Sequence, residues 1–73
     1  MSKTIYSKEY KFALSQLRNA RMASGLTQKE VAKLIGKPQS YISKCESGER
    51  RLDVTELNKF AKIYKKPLTF FVK

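Results

Sequence analysis

Residues 26–50 read LTQKEVAKLIGKPQSYISKCESGER, and how this stretch divides decides the fold. Thr27 stands three residues before Glu30, the spacing of a capping box. In that motif the hydroxyl accepts the N3 amide proton and the glutamate reaches back to the cap's own amide. A helix starts there, with Val31, Ala32, Leu34 and Ile35 as its inward residues. Gly36 supplies a position where a helix can stop in the left-handed region and the chain can turn. Pro38 restarts it, because a fixed φ and a missing N–H suit the first helical turn. A further helix follows from about Pro38 to Ser47, closed by Gly48. Two short helices, over about residues 27–47, meet at one glycine turn.

The second of these helices has little to give a core beyond Tyr41, Ile42 and Cys45. Opposite Pro38, Ile42 and Cys45, a helical wheel places Gln39 with Ser43 and Ser40 with Lys44, two i to i+4 pairs. An isolated polar pair of this kind is more often a solvated surface than a site. Here the outer face combines small or amide side chains with one cation and has no acid. Those properties let a helix enter a major groove: Gln can bond adenine bidentately, and Lys can bond guanine O6 and N7. Arg50 and Arg51 follow in the loop "SGERR", where a flanking phosphate would lie.

Outward from this pair the chain stays helical. A first helix starts after Ser7 with Tyr10, Ala13, Leu14, Leu17 and Arg21 on one face, and Lys8, Lys11, Gln16 and Asn19 mainly on the other; it ends before Gly25. Leu26 then joins the core. Asp53 and Glu56 repeat the helix-start spacing, and Val54, Leu57, Phe60, Ala61 and Tyr64 give the next helix its apolar stripe. The tail, residues 66–73, restarts at Pro67. Its Leu68, Phe70, Phe71 and Val72 are too much apolar area to leave in water. The expectation is all-α: one domain over residues 1–73, a compact bundle of about five short helices.

Composition narrows the function classes. A chain of 73 residues holds one small core, and a domain of this size buries only about 60% of the surface its unfolded chain exposes. Sixteen Lys plus Arg against six Asp plus Glu give a formal charge of +10, a field that attracts polyanions. The lysines at 59, 62, 65 and 66 are read equally well as a solvated surface. One cysteine and no histidine leave no intramolecular disulfide, no Cys/His zinc site and no Ser-His or Cys-His pair. An enzyme, a metal and a cofactor are therefore not expected. The start MSKTIYSKEYKF has no apolar core of an export signal and no apolar run is long enough for a membrane span, so a cytoplasmic setting is expected.

The stretch RMASGLTQKEVAKLIGKPQSYISKCESGERRLDVTELNKFAKIY, from Arg21 to Tyr64, resembles the helix-turn-helix domain of phage repressor and Cro type regulators, the xenobiotic response element family. LTQKEVAKLIG, SYISKCESGER and the Asp-led fourth helix recur together at the family's spacing. The resemblance implies a lambda repressor-like fold and a sequence-specific regulator of transcription on double-stranded DNA. In such domains the glutamine opening the second helix donates to a phosphate, here Gln28. The outer face of the third helix reads bases, here Gln39, Ser40, Ser43 and Lys44, with Lys37 and Tyr41 beside them for sugar or phosphate. Arg50 and Arg51 fall in the loop that meets the backbone. An arginine late in the first helix pairs with the glutamate ending the third, here Arg21 and Glu46. Cys45 stands where the family more usually has an aliphatic residue, and Pro38 where it more usually has a Ser or Thr cap.

A single recognition helix touches few base pairs, so the expected form is a homodimer on a palindromic operator with half-sites one turn, roughly 34 Å, apart. Leu68, Phe70, Phe71 and Val72 are the expected dimer contact; Phe71 and Leu68 could instead close the monomer's own core, leaving Phe70 and Val72 for the partner. A repressor is favoured over an activator, since the few acids are partly committed to caps and ion pairs. RNA polymerase is a further expected partner. The alternative reading is an antitoxin or protein adaptor on the same fold, with a toxin as partner. A stacking platform for RNA is a minor alternative, because Tyr10, Phe60 and Tyr64 follow the core stripe.

Overall fold

The computed structural model describes residues 7–72. The beginning of the stretch read for an export signal, residues 1–6, and the last residue of the tail lie outside the described residues. Four α-helices occur in the order α1 (Lys8–Ala23), α2 (Gln28–Ile35), α3 (Gln39–Ser47) and α4 (Val54–Tyr64), and a 3-10 turn (Leu68–Phe71) follows. Among the described residues, the expected five helices are four plus one turn. Thr69, Phe70 and Phe71 are poor helix formers, so the element after Pro67 stays a single 3-10 turn.

Each helix begins where a side chain can accept an orphan amide, except α3. Ser7 Oγ accepts the Tyr10 N–H at 3.1 Å to open α1. Both capping boxes form: Thr27 with Glu30 opens α2, and Asp53 with Glu56 opens α4. Pro38 does not join α3. It stands in the cap position with φ −70° and ψ 158°, and it supplies no side-chain acceptor. Gly36 (φ +81°) and Gly48 (φ +88°) hold the left-handed positions that end α2 and α3. A Cβ at Gly48 would also come within 3.0 Å of Leu14 Cδ1.

The core is one cluster drawn from every element: Leu17 and Ala20, Val31 and Ala32, Ile42 and Cys45, Leu57, Phe60, Ala61 and Tyr64, and Phe71. Burying a large apolar side chain such as Leu17, Ile42, Phe60 or Phe71 contributes about 1.5–3 kcal/mol. Of the residues expected in the core, Leu26, Ile35 and Tyr41 pack against it half-buried, and two others are largely exposed. Leu34 is 62% exposed and Val54 66% exposed, each at the edge of its helix's apolar stripe. Gln16, expected mainly outward, is half-buried, and its Nε2 donates to the Phe70 carbonyl at 3.2 Å. That bond ties the tail to α1. Tyr10 Oη likewise accepts the Leu52 N–H at 3.0 Å, tying α1 to the loop between α3 and α4.

Candidate nucleic-acid interface

The turn between α2 and α3 is tight. The Gly36 and Lys37 amides both donate to the Ala32 carbonyl, at 2.8 and 3.0 Å, and the chain then extends through Pro38 into α3. α3 buries Ile42 and Cys45 completely, which fixes the opposite face outward. Gln39, Ser40, Ser43 and Lys44 are all exposed on it. Among the described residues, none of these four side chains is engaged in a hydrogen bond or ion pair. The face is thus four polar side chains free to meet a ligand, on a rigid helix and with no carboxylate among them.

The C-terminal end of α3 is held by Glu46. Arg21 Nε donates to Glu46 Oε2 at 2.7 Å and Arg21 Nη2 to Oε1 at 3.2 Å, while Nη1 donates to the Leu26 carbonyl at 3.0 Å. The pair is largely shielded, with side-chain exposures of 13% and 6%. The hydrogen bond to Glu46 raises the Arg21 guanidinium above its ordinary value, against the opposing effect of burial. Gln28 Nε2 joins the same carboxylate, donating to Oε1 at 3.0 Å. One glutamate therefore binds the end of α1, the start of α2 and the last turn of α3 into a unit. Breaking it would leave a shielded charge unpaired, which is more costly than the pair's net contribution.

The N-terminal half of α3 has a second junction. Tyr41 Oη donates to Glu56 Oε2 at 2.8 Å, and Arg50 Nη2 pairs with the same oxygen. The Arg50 guanidinium lies over the Tyr41 ring, 4.9 Å from its centroid, and Lys37 Nζ lies 5.5 Å from that centroid. Burial, then the bond to Glu56, push the Tyr41 hydroxyl up to about 12, so it stays a donor. The sequence reading placed Tyr41 and Arg50 at the DNA backbone; in the free chain both are held by Glu56. Arg51 is exposed in the same loop and Lys37 is exposed at the turn.

Two residues of this region were missed from the sequence. Arg18 lines a hollow of about 210 Å³ together with Arg21, Gln28, Ser43, Glu46 and Ser47, beside the outer face of α3. Its signal was available: it lies one helical turn before Arg21. Glu56 was read only as a cap, and nothing local to residue 56 announces Tyr41 or Arg50.

Of the expected dimer contacts, Phe71 takes the alternative place, in the monomer's own core. It is fully buried in this chain's own core and stacks edge-on with Phe70 at 5.1 Å between centroids, so it has no surface for a partner. Leu68 and Phe70 are half-buried, Lys66 Nζ lies 4.9 Å from the Phe70 ring centroid, and Val72 is 52% exposed. Cys45 is a buried core residue whose thiol is pushed up by burial. Among the described residues, no helix is long and apolar enough to cross a membrane.

Residues 17–71 match the sequence pattern of the helix-turn-helix family. No curated protein matches the chain closely enough to count as a relative. The matched span takes in α2, the glycine turn, α3 and the anchors at both ends of α3, and it runs from the core of α1 to the buried Phe71. The chain belongs to the helix-turn-helix family of phage repressor and Cro type, whose members are DNA-binding regulators of transcription.

Proposed function

We propose that this protein is a repressor that binds a palindromic double-stranded operator as a homodimer, each copy laying α3 in the major groove. The observation that carries the reading is the outer face of α3: Gln39, Ser40, Ser43 and Lys44 are exposed and unengaged, between two carboxylate junctions that hold the helix. Free donors and acceptors on a fixed helix are what base-edge recognition requires. Lys37 and Arg51 flank that face and serve the phosphates, and Gln28 keeps a second amide proton for the same purpose at the positive end of α2. The dimer contact is Phe70 and Val72 with the edge of Leu68. The setting is the cytoplasm, where the duplex and RNA polymerase are.

Selection of bound duplexes from a random pool, followed by alanine substitution, tests the reading. A palindromic consensus is expected. On it, Gln39→Ala or Lys44→Ala should cost about 1–3 kcal/mol and blur one base preference each, whereas Arg51→Ala should weaken all sequences alike and flatten the salt slope by about one. Equal losses on consensus and random DNA for both kinds of change would remove the base-reading assignment. Exposed Met22 and Leu34 favour the second reading, a protein adaptor or antitoxin. It predicts no consensus from the pool.

A further inference from the structure

α3 is packed closely on α2 and α1, but α3 and α4 are not among the closely packed pairs. Ile42 is fully buried, but Tyr41 beside it in the first turn is only half-buried. The link on that side is polar, and it converges on one carboxylate. Glu56 Oε1 accepts the Asp53 N–H at 3.0 Å, and Oε2 accepts from Tyr41 Oη at 2.8 Å and from Arg50 Nη2. The Glu56 side chain is only 17% exposed. Arg50 is stacked on Tyr41 while it pairs with Glu56, so its planar fork is used within the chain. An exposed Arg–Glu pair alone contributes little to stability. A shielded carboxylate with donors from α3, the α3–α4 loop and the α4 cap instead sets where Tyr41 stands.

We propose that Glu56 is a positioning residue of the DNA interface. It fixes Tyr41, and through Tyr41 the first turn of α3 that carries Gln39 and Ser40; Arg50 serves this junction rather than a phosphate. The inference rests on the reading of α3 as the base-reading helix. It also divides that helix. Gln39 and Ser40 depend on the Glu56 junction, whereas Lys44 lies in the turn held by Glu46. Loosening Glu56 should relax base preference where Gln39 and Ser40 read and leave it intact where Lys44 reads.

The test is a titration of the pool-selected duplex and a random duplex of equal length, at several salt concentrations, with Glu56→Gln, Tyr41→Phe, Arg50→Ala and the Glu56→Gln/Arg50→Ala double variant. Gln at the N3 position keeps the capping box, so α4 still starts. Glu56→Gln is expected to weaken the selected duplex about tenfold, with random DNA little changed. Tyr41→Phe should share the loss. Arg50→Ala should leave the salt slope unaltered, and the double variant should be no weaker than Glu56→Gln, the non-additivity of residues in one network. The opposite pattern overturns the proposal. If Arg50 is a phosphate contact restrained by Glu56, Glu56→Gln tightens both duplexes and Arg50→Ala lowers the slope by about 0.9. An unchanged affinity in Glu56→Gln overturns it equally. Lys44→Ala, run alongside, separates the two failures: if it leaves the selected duplex bound as before, the base-reading assignment itself is at fault.

Discussion

Tyr64 is 4% exposed, and its hydroxyl is buried with no hydrogen-bond partner among the described residues. Burial is also the main reason its phenol is raised well above the ordinary value. The ring packs with Phe60 at 6.1 Å between centroids, so the side chain serves the core as an aromatic and the oxygen is a liability there. A buried hydroxyl without a partner costs about 1–3 kcal/mol of lost hydration. Tyr64→Phe keeps the ring and removes that group. Urea unfolding should show the variant as stable as the parent or up to about 1 kcal/mol more stable; a loss of stability would mean that the hydroxyl is satisfied in solution. Cys45 is fully buried as a small side chain in the same core. The Arg21–Glu46 pair, by contrast, could not be derived from spacing, since 25 residues separate the partners. It entered the sequence reading only through the resemblance.

The helix starts and stops were legible because they are local. Thr27 with Glu30, Asp53 with Glu56, Gly36 and Gly48 each carry their own reason within a few residues. What failed was the facing of positions that only tertiary packing decides. Leu34 and Val54 fit the helical period yet stay largely exposed, and Gln16 meets a carbonyl 54 residues away. The exposed polar face of α3 was visible as a stripe, whereas the junction of Tyr41, Arg50 and Glu56 was not, because the three meet only after folding. The start of α4 makes that junction measurable. The Asp53 amide first, and Arg50 second, hold the Glu56 carboxyl at about 2, below its ordinary 4.5. A lowered carboxyl pKa adds stability that is complete above the ordinary value and is lost as pH falls from about 4.5 through about 2. Helical circular dichroism should therefore fall less steeply across that window in Glu56→Gln than in the parent. Coincident acid curves would show that the carboxylate is not held this way.

Across the whole molecule, charge and apolar surface are unevenly distributed. Glu30, Asp53 and Glu56 are spent on helix caps and Glu46 on its ion pair, which leaves Glu9 and Glu49 as the acids not so committed in a chain of net charge +10. Two copies of such a chain repel, so a stable dimer needs apolar area to offset that repulsion. With Phe71 closed into the monomer, the tail offers Phe70 and Val72. Phe70→Ala should shift sedimentation equilibrium toward monomer and weaken the palindrome far more than a half-site; an unchanged dimer would move the interface elsewhere. The central claim is that α3 is the surface that meets the bases. Amide shift mapping on addition of the selected duplex tests it most directly. The largest changes are expected from Gln39 to Ser47, with smaller ones at Gln28, Lys37 and Arg51. Unmoved α3 amides, with the response on another face of the domain, would contradict it.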